Sequence, residues 1–133
     1  MKIHEEYKKA PVLKYSLIFW CIYMIASGLL LAFTPDLLLN FFGVAEPTDS
    51  WIRSFGALAF IIGVSYIVIL KEKVPIGFIK WTIFARYFFF LFSVISYLME
   101  WTEFISVLIG SFDFLNATWT LVGIKIFFKR YKV

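Results

Sequence analysis

The sequence has few of the residues from which soluble enzymes build their sites. Among 133 residues there is one histidine, His4, and one cysteine, Cys21. A lone cysteine excludes an intrachain disulfide and any cysteine-based metal cluster, and its place inside an apolar run predicts a buried side chain. No P-loop, GxGxxG, HExxH, CxxC or Gly-x-Ser-x-Gly motif occurs. Metal hydrolysis and triad chemistry therefore lack their residues, and we expect no catalytic set, no metal and no cofactor.

Linkers and repeats are also missing, which predicts a single domain over residues 1–133. Charged residues make up only 17% of the chain, whereas 62% is hydrophobic and 22% aromatic. Soluble domains are about 45–50% apolar, so the composition indicates an integral membrane protein. The net charge of +4 does not indicate nucleic acid, because the bases cluster at the ends of apolar segments.

Four apolar segments have the length that a membrane-spanning helix needs, roughly 20 residues for a hydrocarbon core of ~30 Å. They cover about 13–33, 51–70, 79–99 and 104–128. A shorter run at about 35–42 follows a Thr-Pro-Asp helix-start signal and ends at Gly43, which predicts a short interfacial helix. The predicted fold class is therefore all-α: a polytopic integral membrane protein with a four-transmembrane-helix bundle and an interfacial helix after the first span.

The distribution of charge predicts how the chain crosses the membrane. The tail before the first span, the loop at 71–80 and the end of the chain are basic, whereas the segments at 34–50 and 100–103 are acidic. Cytoplasmic segments of membrane proteins carry the excess of lysine and arginine. We therefore expect both termini in the cytoplasm and the interfacial helix on the outer side.

Two of the predicted spans carry stripes of polar and small residues. Residues three, four or seven apart share one face of a helix. The stripes are Asp113, Asn116, Thr120 and Gly123 in the fourth span, and Arg86, Ser93, Tyr97 and Glu100 in the third. If the two helices are antiparallel neighbours, Arg86 lies level with Leu121, so its side chain extends toward Ala117 and Asn116 and reaches Asp113 only with helix tilt or a bridging water.

Asp113 is the most expensive of these residues to place in a membrane. An ionisable group at membrane depth costs roughly 2.5–3.5 kcal/mol on insertion scales, so it normally faces the interior of a bundle. Three roles are open for it: a buried structural hydrogen-bonding hub, a group that handles protons, ions or a ligand in a cavity, and a contact with a partner protein or second subunit.

Two arginines raise a similar question at shallower depth. Arg86 lies about 10 Å inside its span, so it can snorkel to the near interface or face the interior. Arg53 begins the second span, where it can snorkel to lipid headgroups or pair with an acid such as Asp36 or Asp49. The candidates for ligand binding or ion handling are Asp113, Asn116, Arg86, Arg53, Tyr97 and Thr120. Within the second span, the small-xxx-small pair Ala59 and Gly63 predicts a close helix contact.

The order of these features resembles the small DoxX-like four-helix membrane proteins of bacteria. The matching features are the stretch from Pro35-Asp36-Leu37 to Gly43, a second span with Arg53-Ser54-Phe55-Gly56-Ala57 and Gly63, and Arg86 in the third span. The resemblance covers nearly the whole chain and implies a place in the bacterial inner membrane. Such proteins include subunits or accessories of membrane redox systems, some of them quinone-linked.

We favour a non-enzymatic accessory or hydrophobic-ligand-binding membrane protein with a small polar site among aromatic walls. The first alternative is a homo-oligomeric small transporter or channel that uses Asp113. The second is a small membrane enzyme acting on a lipid or quinone-like substrate, with Asp113 as acid/base and Arg86 or Tyr97 as electrophile. The expected partners are the lipid bilayer, a hydrophobic small molecule, and a second copy of the chain or another membrane protein.

Overall fold

Helices account for all the regular secondary structure in the part of the chain that the structure describes. The structure is a computed structural model that describes residues 10–44, 51–72 and 74–131, with only the backbone for Trp51 and Tyr131. The helices are α1 (Pro11–Phe33), α2 (Pro35–Phe41), α3 (Trp51–Lys71), α4 (Ile76–Leu98) and α5 (Ile105–Tyr131). All but α2 are long and apolar enough to cross a membrane. The predicted all-α fold, with four candidate spans and a short helix after the first, is confirmed.

Prolines mark the starts of three helices. Pro11 and Pro35 are the first residues of α1 and α2, and Pro75 directly precedes α4. Proline suits the first turn because the N–H group that it lacks would have no partner within the helix there. Residues 45–50 of the acidic segment and residues 1–9 of the basic tail lie outside the described residues.

The short helix α2 has its last residue at Phe41 and is closed by Gly43, as predicted. Gly43 has a φ of +68°, the left-handed conformation that glycine adopts without a steric penalty. The N–H groups of Val44 and Gly43 donate to the carbonyls of Leu39, at 2.9 Å, and Asn40, at 3.1 Å. This pair of bonds is a Schellman motif, and it satisfies two carbonyls that the end of a helix leaves open. Leu37 and Phe41 are exposed, as expected for a helix at a membrane interface.

The described helices belong to two compact units. The glycine unit comprises residues 17–71, with most of α1, all of α2 and all of α3. The polar unit comprises residues 72–133, with α4 and α5, together with the chain up to Ser16, which includes the start of α1. The single-domain organisation expected from the sequence stays a prediction.

In the glycine unit, α1 and α3 are in contact through their backbones. A Cβ atom placed on Gly56 would lie 2.5 Å from the backbone nitrogen of Ala32, and one on Gly28 would lie 2.5 Å from that of Phe60. A Cβ on Gly63 would lie 2.6 Å from a side-chain carbon of Ile25. The helix contact predicted at Gly63 is therefore confirmed, and it continues through two further glycines.

In the polar unit, α4 and α5 are antiparallel neighbours. Glycine again allows close approach, because a Cβ on Gly110 would lie 3.0 Å from Ser93 Oγ and one on Gly123 would lie 2.7 Å from the Cα of Leu13. At the other end of the pair, the ammonium group of Lys80 lies over the ring of Phe128, 5.5 Å from its centre. The apolar core of this unit includes Leu13, Ile79, Ala117, Ile124 and Phe127.

Candidate functional site

Five buried polar residues from three helices meet in the polar unit. Each of them has an accessible fraction of 9% or less, and hydrogen bonds connect them. We call these residues the polar cluster: Ser16, Thr82, Arg86, Asn116 and Thr120. All five lie in helices long and apolar enough to span a membrane. Three members of the cluster, Arg86, Asn116 and Thr120, belong to the stripes predicted from the sequence, whereas Ser16 and Thr82 do not. Asn116 and Thr120 lie one turn apart on α5, as Thr82 and Arg86 do on α4.

Arg86 is the centre of this cluster. Its guanidinium group donates to the side chains of both polar residues on α5: to Asn116 Oδ1 and, at 3.4 Å, to Thr120 Oγ1. On its own helix it donates to the carbonyl oxygen of Thr82 at 3.1 Å and to the Thr82 hydroxyl at 3.3 Å. Only 5% of the residue is accessible. Of the two orientations open for Arg86, the structure has the interior one, and its reach toward Asn116 is as predicted.

Asn116 and Thr120 connect Arg86 to the first helix. The Asn116 side chain accepts from Arg86 and donates its own N–H to the carbonyl oxygen of Ser16 at 3.1 Å. The hydroxyls of Ser16 and Thr120 lie 3.0 Å apart. Because an amide is both donor and acceptor, Asn116 can satisfy a cation on one side and a helix carbonyl on the other. Asn116 and Arg86 are therefore the hydrogen-bonding hub of this unit.

Asp113 lies one turn before Asn116 on the same buried face of α5. It is 9% accessible, and Arg86 is the charged group that acts on it electrostatically. Among the described residues, the structure records no hydrogen bond to its carboxylate. The hydrogen-bonding hub that the structure shows is formed by Arg86 and Asn116, and the three roles considered for Asp113 stay predictions. The carboxyl group of Asp113 and the guanidinium group of Arg86 thus lie on neighbouring buried faces.

Ser96 takes the place on α4 that the sequence stripe gave to Tyr97. Ser96 is 2% accessible, whereas Tyr97 is 41% accessible and packs its ring edge against Phe104. Residues at spacings of both three and four from Ser93 fit a helical face, so the pattern alone could not choose between them. The Ser96 hydroxyl is buried and, within the described parts of the chain, has no hydrogen-bond partner. Sequence reasoning missed this residue.

Arg53 belongs to the glycine unit and closes the end of a helix. Its guanidinium group donates to the carbonyl oxygens of Ala32, at 3.0 Å, and Phe33, at 3.1 Å, in the last turn of α1. The last carbonyls of a helix have no partner within the helix, and a cation there also suits the negative end of the helix dipole. Arg53 therefore acts as a C-terminal cap of α1, a role that the sequence did not indicate.

The structure thus brings together four of the six predicted site residues. Arg86, Asn116 and Thr120 are hydrogen-bonded, and Asp113 is one turn away. On the same two helices, Phe114 packs against Phe90 and Tyr87, with ring centres 5.0 and 5.4 Å apart, and the Phe114 side chain is exposed. Such an arrangement can offer N–H donors, a carboxylate acceptor and apolar walls to one molecule. No group of three histidine, cysteine, aspartate or glutamate side chains that could hold a metal occurs among the described residues.

Comparison with known proteins adds no relative. No family model matches the chain, and neither a curated protein nor a solved structure matches it.

Proposed function

We propose that the chain is a non-enzymatic accessory or hydrophobic-ligand-binding integral membrane protein. The polar site at Arg86, Asn116, Thr120 and Asp113 would hold the head of a small molecule whose body is apolar. The observation that carries the proposal is that an arginine and an aspartate are both buried in helices that can span a membrane. Ionisable groups at this depth cost several kcal/mol and typically mark a pathway or a ligand site.

The chemistry of the site describes the ligand it would take. Arg86 offers N–H donors in a fixed plane, and Asp113 offers an acceptor one helical turn from Asn116. The helices that carry the site are apolar over most of their length, which suits an apolar body. The best fit is a molecule with a small head that both donates and accepts hydrogen bonds and with a body that lipid also dissolves.

The test is to identify what co-purifies with the protein in mild detergent, by mass spectrometry. We expect one small molecule per chain with the wild type, and at least a tenfold loss with Asp113→Asn, which keeps size but removes the charge. Arg53→Gln is the matched control, because it removes an arginine from the glycine unit and should retain the molecule. Equal retention by all three proteins would contradict the proposal.

A second candidate is a homo-oligomeric small transporter or channel that uses Asp113. It is favoured by a buried carboxyl group to which the described residues make no hydrogen bond, because a group without a fixed partner can bind and release an ion or a proton. Light scattering in detergent separates the two candidates. An oligomer that conducts ions after reconstitution in liposomes, and stops doing so with Asp113→Asn, favours the transporter, whereas a monomer without flux favours ligand binding.

We further propose that the protein is a DoxX-like protein of the bacterial inner membrane with both termini in the cytoplasm. The basic and acidic connecting segments support this orientation. On a Cys21→Ala background, cysteines at Thr48 and Thr102 should react with an impermeant thiol reagent added outside the cell. A cysteine at Glu72 should not react. The reverse labelling pattern would overturn the orientation.

A further inference from the structure

A recess of about 90 Å³ opens at one end of the polar unit, between the start of α1 and the end of α5. It is lined by Ala10, Pro11, Val12, Gly123, Ile126, Phe127 and Arg130. The walls are almost wholly apolar, and Phe127 is only 1% accessible. Gly123 has no side chain, which allows the first turn of α1 to lie directly on α5. Arg130 is the one charged residue in the lining, and it is exposed at the rim.

The surroundings of the recess are strongly basic. Within the described residues of the polar unit, the helix ends at this side carry five exposed bases, Lys14, Lys80, Lys125, Lys129 and Arg130, and one acid, Glu72. The opposite end, around the α4–α5 connection, carries Glu100 and Glu103 and no described base. The N-terminus of α1 adds the partial positive charge of a helix start beside Arg130. This end of the unit therefore attracts an anion, while the recess itself accepts only apolar groups.

We infer that the recess is a binding site for one anionic phospholipid. The phosphate lies against Arg130 at the rim, and the upper part of one acyl chain lies in the recess against Ile126. The recess has about the volume of three water molecules, enough for part of a chain and too small for a whole lipid. A free phosphate would satisfy Arg130 but leave the apolar walls uncovered.

The positive charge at the rim and the apolar walls of the recess together indicate which molecule binds there. Bases near a membrane surface attract anionic lipids in general, but that attraction needs no recess. An arginine at the rim of an apolar recess, at the end of a membrane-spanning helix, matches a molecule that is anionic at one end and apolar directly below it. The site uses none of the residues of the polar cluster, so it and the proposed function can fail separately.

The experiment is native mass spectrometry of the full-length protein in detergent, with phosphatidylglycerol, phosphatidylethanolamine or inorganic phosphate as the added probe. Arg130→Gln should weaken phosphatidylglycerol binding roughly tenfold or more, because a charge-assisted hydrogen bond is lost. Lys129→Gln is the matched control, because it removes one positive charge from the adjacent residue, which does not line the recess. It should weaken phosphatidylglycerol binding by no more than about fivefold. Ile126→Trp should weaken binding at unchanged net charge, because the larger side chain fills the recess.

Three results would overturn the inference. Equal losses with Arg130→Gln and Lys129→Gln would mean that surface charge alone attracts the lipid. Unchanged binding with Ile126→Trp would mean that no acyl chain enters the recess. Competition by inorganic phosphate at the concentration at which the lipid binds would make the site one for a free anion. Melting curves of the three variants check that each is folded; all three changed side chains are exposed.

Discussion

The two units bring helices together in opposite ways. In the glycine unit, α1 and α3 meet through Gly28, Gly56 and Gly63, where backbone lies on backbone, and the side chain of Arg53 bonds the end of α1. In the polar unit, α4 and α5 are joined by the side chains of Arg86 and Asn116. Lipid provides no hydrophobic force between helices, so both close packing and interhelical hydrogen bonds serve as the attraction.

The difference shows where each unit is sensitive to change. A contact made of backbone fails when any side chain is added, whatever its chemistry. A contact made of hydrogen bonds tolerates changes of shape but fails when a buried donor or acceptor loses its partner.

The largest effect is expected at the glycine contact. Gly56→Leu should lower the free energy of unfolding by about 3 kcal/mol or more, because even the first atom of the new side chain would lie 2.5 Å from the Ala32 backbone. Gly77→Leu is the control, since a Cβ there meets nothing within 4 Å. Unfolding in detergent measures both. If the two variants melt alike, the helices do not meet at Gly56.

A smaller loss is expected in the polar cluster. Asn116→Leu keeps a similar size but removes the acceptor for Arg86 and the donor to the Ser16 carbonyl. The loss of both hydrogen bonds should lower the free energy of unfolding by about 2–3 kcal/mol. Asn116→Asp keeps the acceptor for Arg86, so its free energy of unfolding should fall by less. The same melting assay compares the two. A Leu variant as stable as the Asp variant would show that these hydrogen bonds do not hold the unit together.

Asp113 separates stability from function. Because the described residues make no hydrogen bond to its carboxylate, Asp113→Asn should change the unfolding free energy by less than about 1 kcal/mol. Asp113→Leu should also fold. If Asp113 were a hydrogen-bonding hub, the same substitution would lower the free energy of unfolding by roughly 1–3 kcal/mol. Both variants should lose the bound molecule. A large destabilisation by Leu, with ligand retained by Asn, would return Asp113 to a structural role.

The smallest effect is expected at Ser96. Its hydroxyl is buried without a partner among the described residues, so Ser96→Ala should leave stability unchanged or raise it by up to ~1 kcal/mol. Ser93→Ala is the control, because the Ser93 hydroxyl donates to the carbonyl of Phe89 at 2.9 Å and its loss should be slightly unfavourable. A clear loss of stability in Ser96→Ala would mean that the hydroxyl is satisfied in the membrane.

Length and hydropathy were enough to predict the four long helices, because a membrane fixes how many apolar residues a span needs. The stripe on α5 was likewise readable, since Asp113, Asn116 and Thr120 all face inward. What the sequence could not decide were choices between equivalent neighbours. Ser96 and Tyr97 fit the same stripe, and only the angle at which α4 packs selects one of them.

Arg53 and Gly28 were harder still to assign. The carbonyls that Arg53 binds belong to a helix that ends about 20 residues earlier in the chain, and no local pattern connects them. Gly28 is one glycine in an apolar run, and its close contact with Phe60 depends on where α1 and α3 cross. Both roles are set by tertiary packing and not by spacing along one helix.

Asn116 on α5 holds the buried guanidinium group of Arg86 on α4, and a double-mutant cycle measures the strength of this contact. Arg86→Met, Asn116→Leu and the double variant would be compared with the wild type by unfolding in detergent. We predict a coupling free energy of about 1–3 kcal/mol, as for residues that share one hydrogen-bond network. If the two substitutions are additive within about 0.5 kcal/mol, Arg86 and Asn116 are not hydrogen-bonding partners.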